Sequence, residues 1–186
     1  MAFQFLPYPD IKGLVTIEPN VFTDSRGWFA EMYKKSEFLA AGIEVEFAQI
    51  SHSRSLPVGT LRGLHFQRQP NSQGKLVRCI RGKVFDVAVD IRRGSPTYGK
   101  HGIAELSEEN KKLFWIPPGF AHGFCTILEA SEIEYYMTNE YNPESEGILL
   151  WNDPALAIPW PAANPVLSPK DASGQPLSSL DHNFTY

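Results

Sequence analysis

Proline and glycine interrupt this chain so often that it has little room for long helices. Of 186 residues, 15 are proline and 14 are glycine. Proline removes a backbone donor and glycine costs backbone entropy in regular structure, so both punctuate it. Their spacing favours many short strands joined by tight turns. The run Lys83-Val84-Phe85-Asp86-Val87-Ala88-Val89-Asp90-Ile91 shows the period directly. Phe85, Val87, Val89 and Ile91 point one way, and Val84, Asp86, Ala88 and Asp90 the other, which is a strand. Gly94-Ser95-Pro96 ends it. Residues 113–116 read as a further strand, stopped by Pro117-Pro118-Gly119, and 124–128 and 133–138 continue the series.

One helix is expected at 36–41, capped by Ser36 and ended by Gly42. Residues 107–110 read as a turn. The tail from Pro154 onward is rich in Pro, Ser, Asn and Asp. It is expected to be irregular, wrapping the body or forming a short terminal helix. These features together predict one all-β domain over 1–186. The expected form is an antiparallel double sheet or barrel, a jelly roll first, with short peripheral helices.

Composition narrows the function. The net charge is −4, so the basic footprint of a nucleic-acid binder is missing. No apolar run reaches the roughly 18 residues of a membrane span. The start, Met1-Ala2-Phe3-Gln4-Phe5, lacks the basic residues and long apolar stretch of a signal peptide. Cys79 and Cys125 both sit in apolar segments. Two buried free thiols in a reducing cytoplasm is the reading, with a disulfide as the alternative.

Polar groups inside apolar runs mark the chemistry. His65 ends Leu61-Arg62-Gly63-Leu64-His65. Arg62 precedes it and Lys75 follows, all within one expected hairpin. Three ionisable groups on neighbouring strands are hard to bury without a purpose. His122, in Pro117-Pro118-Gly119-Phe120-Ala121-His122, is spaced from His65 as two separated motifs of a cupin barrel would be. A cupin metal site usually has a second histidine near the first, but Gln67 stands there. Two histidines and a glutamine make a poor transition-metal site. An imidazole free of metal can act as a base near neutral pH. Tyr135, Tyr136 and Tyr141 form an aromatic cluster; two serve packing, and one in a pocket would act as an acid or stack on a ring. Asp24-Ser25-Arg26-Gly27-Trp28-Phe29 reads as a surface hairpin whose arginine could clamp a diphosphate. Ser168-Pro169-Lys170-Asp171 reads as an exposed turn. No Gly-x-Gly-x-x-Gly turn for a dinucleotide occurs.

These segments, together with Gln73-Gly74-Lys75-Leu76-Val77-Arg78, Phe85-Asp86-Val87-Ala88-Val89-Asp90-Ile91-Arg92, Pro118-Gly119-Phe120-Ala121-His122-Gly123-Phe124, Trp151-Asn152-Asp153-Pro154 and Leu167-Ser168-Pro169-Lys170-Asp171, resemble the dTDP-4-dehydrorhamnose 3,5-epimerases of the cupin superfamily. The resemblance runs over nearly the whole chain. It implies a homodimeric, cytoplasmic jelly roll without cofactor or metal. It also implies inversion of the two carbons flanking the ketone of a dTDP-linked 4-keto-6-deoxy sugar, in dTDP-L-rhamnose biosynthesis. By that resemblance His65 is the base, Asp171 orients it, Tyr135 donates from the opposite face and Lys75 lies near the sugar, where by its chemistry it is the natural cation for the developing enolate oxygen. Arg62 and His122 lie around the sugar and its phosphates. Arg26, Glu31, Gln49, Glu146 and Lys170 belong to the wider substrate site, which draws on both subunits, and Ser51 is expected there as a partial replacement for a family asparagine.

Two departures stand out. Ser51 occupies the place of an asparagine in the family's Gln-x-Asn-x-Ser stretch, and Glu140 stands where relatives often carry tyrosine. The alternatives kept open are a mono-epimerase on a related sugar, a sugar-binding cupin without activity, and a metal-dependent cupin.

Overall fold

A computed structural model describes residues 2–186. The chain runs through β1 (Phe3–Pro7), β2 (Val15–Pro19), β3 (Val21–Asp24), β4 (Gly27–Ala30), α1 (Lys35–Ala40), β5 (Gln49–Ser55), β6 (Leu61–Gln67) and β7 (Lys75–Arg81). It continues through β8 (Lys83–Asp90), β9 (His101–Ser107), β10 (Leu113–Ile116), β11 (Phe120–Thr126), β12 (Ser131–Met137), β13 (Glu146–Ile148) and α2 (Pro169–Ala172). One sheet has the order β1-β2-β10-β7-β12-β5 and the other β13-β6-β11-β8-β9, while β3 and β4 form a separate hairpin. The strand pairs within these sheets are antiparallel. This is the all-β jelly roll that the punctuation predicts.

Alternation along the strands explains the three apolar layers. Val84 and Ala88 of β8 face inward and meet Val77, Cys79, Phe114, Phe124 and Ile133 between the sheets. Val87, Val89 and Ile91 face outward, where Leu156, Leu180 and Phe184 of the tail cover them. The tail thus wraps the body. The outer face of the larger sheet, with Val15, Ile17, Leu76 and Leu113, is covered by Phe38 and Ile43. Each buried side chain of this size contributes roughly 1.5–3 kcal/mol.

Some boundaries differ from expectation. The helix begins at Lys35 with Lys34 at its N-cap and no side-chain cap bond, so Ser36 lies within the first turn and does not cap it. Its end is as expected: Gly42 has φ of +80°. There Gly42 N–H donates to Leu39 O and Ile43 N–H to Phe38 O, the paired closure that a left-handed residue permits. The turn at Ser168-Pro169-Lys170-Asp171 is exposed except at Asp171, which is buried, and it is helical; the Ser168 side chain accepts the Asp171 N–H. β6 and β7 are not a hairpin, since they belong to opposite sheets. Cys79 and Cys125 are buried free thiols. No helix among the described residues is long and apolar enough to cross a membrane.

Candidate active site

Two inner sheet faces carry polar groups at one end of the sandwich. A cavity of about 260 Å³ opens there, lined by Ser51, Ser53, Arg62, His65, Gln73, Lys75, His122, Tyr135, Tyr141 and Glu146 among others. Arg62, His65 and His122 come from the smaller sheet; Lys75 and Tyr135 come from the larger one facing it. Arg62 and His65 share the cavity although they are three residues apart. Strict alternation would put them on opposite faces. The register explains it: His122 pairs with His65 and Phe124 with Arg62, so three steps on β6 oppose two on β11. An extra residue of this kind flips the side-chain parity. Gly63, at φ +135°, absorbs the bend.

The two strands touch closely at that bulge. A Cβ on Gly123 would lie 2.6 Å from the Arg62 carbonyl and 2.9 Å from Gly63 Cα. Both neighbours are backbone and cannot swing aside. Gly123→Ala is therefore expected to lower stability by about 1–3 kcal/mol and to weaken the site as well. Thermal unfolding beside a turnover assay checks this.

The bulge also places the histidine partner. The freed Gly63 N–H donates to Asp171 Oδ1 at 3.3 Å, and His65 Nε2 lies 2.5 Å from the same oxygen. Ser168 Oγ donates to Asp171 Oδ2 at 2.7 Å. Burial works to raise the Asp171 carboxyl, but the bonds from His65 and Ser168 outweigh it and hold it below its ordinary value. A carboxylate fixed in this way sets the tautomer of the imidazole and leaves Nδ1 for the cavity.

A second pair lies deeper. His122 Nε2 is 2.9 Å from Asp86 Oδ1, and the Asp86 side chain is fully buried. Burial pushes His122 down and Asp86 up, each opposed by the other's charge. Lys75 is also buried, and its Nζ donates to the His65 carbonyl at 3.3 Å. Burial brings Lys75 down to about 8, against the pull of Asp86 and Glu146. Burial likewise raises the Tyr135 phenol, whose hydroxyl bonds Ser53 Oγ at 3.0 Å.

The rim closes the site. Lys170 Nζ and Tyr141 Oη both reach Glu146 Oε2, at 2.5 and 3.2 Å. Gln49 donates to Ser51 Oγ and accepts from Tyr141 N–H. Gln67, in the place of a metal-binding histidine, spends its amide on Asn71 O, Glu140 O and Asn142 N–H. Among the described residues no group of three or more His, Cys, Asp or Glu is placed to hold a metal ion.

Not every expected residue is here. Arg26 sits on the β3–β4 turn with its side chain 88% exposed, paired with Asp24. Glu31 pairs with Lys34 at 3.8 Å. Neither lines the cavity. The three tyrosines do not cluster: Tyr136 packs on the outer face and Tyr141 stands at the rim. Sequence reasoning passed over Ser53 and Asp86. Asp86 was legible, since its parity in 83–91 points it inward among Val84 and Ala88.

A jelly roll whose cavity joins two His–Asp pairs, a buried ammonium and a tyrosine defines an acid–base enzyme of the cupin type. Residues 9–179 match the family model of dTDP-4-dehydrorhamnose 3,5-epimerase, and the chain belongs to that family of isomerases. A curated dTDP-4-dehydrorhamnose 3,5-epimerase of Shigella flexneri is 49% identical over 174 residues, covering 93% of this chain and 96% of that one. The crystal structure of the epimerase from Legionella pneumophila, in complex with dTDP-4-keto-L-rhamnose, superposes with a TM-score of 0.91 at 45% identity, covering 96% and 95% of the two chains. A 3'-monoepimerase from Streptomyces bikiniensis in complex with dTDP-quinovose reaches a TM-score of 0.86 at 31% identity, covering 93% and 87%.

Proposed function

We propose that this chain, acting as one catalytic unit over 1–186, inverts both carbons flanking the ketone of dTDP-4-dehydro-6-deoxy-D-glucose to give dTDP-4-dehydro-L-rhamnose. The observation that carries this reading is the His65–Asp171 pair on one wall facing Tyr135 on the other.

A ketone acidifies the C–H bonds beside it. His65 Nδ1 takes one such proton, and Asp171 steadies the imidazolium that forms. The ammonium of Lys75 stabilises the enolate oxygen. Tyr135 returns a proton to the opposite face, and the centre inverts. His122, with Nε2 held by Asp86, offers Nδ1 to a sugar oxygen. Arg62 with Ser51, Gln49, Glu146 and Lys170 binds the rest of the nucleotide sugar. No metal and no cofactor takes part in this scheme.

The working form is a cytoplasmic homodimer. The β3–β4 hairpin exposes Phe22, Trp28 and Phe29 at 61, 56 and 65%, an apolar patch suited to a protein contact. A partner's hairpin would bring its Arg26 and Glu31 to this cavity.

Tyr135→Phe tests the opposed-face geometry. The variant is expected to keep proton exchange at one carbon while full inversion is lost. Product NMR after incubation with dTDP-4-keto-6-deoxyglucose reads both. Formation of the doubly inverted sugar at the normal rate would remove Tyr135 from the acid role. A wild-type product inverted at one carbon would favour the mono-epimerase reading instead.

A further inference from the structure

The inward face of β5 breaks the pattern of the strands around it. β7 and β12 turn Val77, Cys79 and Ile133 into the core. β5, at the edge of the same sheet, turns Gln49, Ser51, Ser53 and Ser55 inward. Alternate positions on a strand stand about 7 Å apart, so these side chains form a polar ladder. Gln49 bonds Ser51 at 3.0 Å and Ser55 accepts from Arg62 Nε at 3.0 Å. Ser53 Oγ bonds the Tyr135 hydroxyl at 3.0 Å, and among the described residues it is that hydroxyl's one hydrogen-bond partner. The rings of His122 and Phe124 flank Tyr135 at 6.3 and 6.5 Å between centroids.

An inversion leaves a problem that the catalytic pair does not solve. His65 ends with an extra proton and Tyr135 ends as phenolate, on opposite walls. We propose that Ser53 returns the proton to Tyr135 after each inversion. The inference rests on the epimerase reading above. The Tyr135 O–H bond breaks as its proton passes to the ring carbon. The phenolate oxygen then takes the proton of Ser53 Oγ, and Ser53 takes one from water. The hydroxide that remains is neutralised by the proton His65 releases. The sum restores neutral His65 and protonated Tyr135, with no water consumed. Burial raises the Tyr135 phenol, so its phenolate draws a proton strongly from a bonded hydroxyl. Ser53 is partly exposed, which gives it access to water.

Rapid-quench kinetics on Ser53→Ala and Ser53→Thr, with dTDP-4-keto-6-deoxyglucose, test this. Tyr135 starts protonated, so Ser53→Ala should give a burst of about one singly inverted sugar per active site at the wild-type rate, the first carbon alone being inverted. Steady-state turnover should then be slower by about a hundredfold, the lower end of what a positioned proton-transfer group contributes. Ser53→Thr keeps the hydroxyl and should restore turnover; it also serves if the alanine variant fails to fold. A first inversion slowed as much as the steady state, with no burst, would make Ser53 a mere support for Tyr135 and overturn the proposal. So would unchanged turnover in Ser53→Ala, or slow turnover in a folded Ser53→Thr. Wild-type enzyme in the same experiment separates this from the underlying reading, which fails if the wild type does not invert the sugar.

Discussion

Replacing His65 with asparagine is expected to lower turnover by about 10²- to 10⁴-fold and to stop deuterium uptake at both carbons beside the ketone. The reason is geometric. Asparagine can still reach toward Asp171, whose other bonds to Gly63 N–H and Ser168 remain. The fold is therefore kept while the proton acceptor is gone. The amide has no basic nitrogen, so neither carbon can be deprotonated from that wall. Proton NMR in heavy water reads the exchange, and thermal unfolding reads the fold. Exchange at the normal rate in a folded variant would move the base elsewhere, with His122 the next imidazole in the cavity.

Lys75→Met carries the second large effect. Methionine fills most of the stem's volume but removes the ammonium. Loss of one preorganised donor to the enolate oxygen costs about 3–4 kcal/mol of barrier, or roughly 10²- to 10³-fold in turnover. The Asp86 carboxylate, fully buried, also loses a compensating cation, so some stability goes with it. The wild type should show the same dependence as a function of pH. Burial brings the Lys75 ammonium to about 8. The charged form is present below that pH and lost above it, so turnover should fall as pH rises through about 8. That alkaline limb should be absent in Lys75→Met. A limb that persists there belongs to another group.

Much of the fold was legible because its signals are local. The alternation of 83–91 assigned the two faces of β8 correctly, and the buried layers follow it residue by residue. Gly42 ended its helix because a positive φ is needed there. The helix start misled: Ser36 is a good capping residue, but the tertiary packing of Phe38 starts the helix one position earlier. The site was legible in part. His65, Arg62, Lys75 and His122 stood out as ionisable groups in apolar runs. Their arrangement did not, because β6 and β7 look like a hairpin in sequence and lie in opposite sheets. Asp171 is 106 residues from His65, and no local period connects them; only the family resemblance pointed to the pair. Ser53 carries no charge and is the middle of three alternating serines, Ser51, Ser53 and Ser55, so nothing local distinguished it from its neighbours.

Where protons enter the sugar distinguishes double inversion from every other outcome. Incubating the wild-type enzyme with dTDP-4-keto-6-deoxyglucose in heavy water, and reading the product by NMR, tests it directly. The expected product carries deuterium at both carbons beside the ketone, each in the inverted configuration. Deuterium at one carbon alone, or a product that keeps its original protons at both, would contradict it.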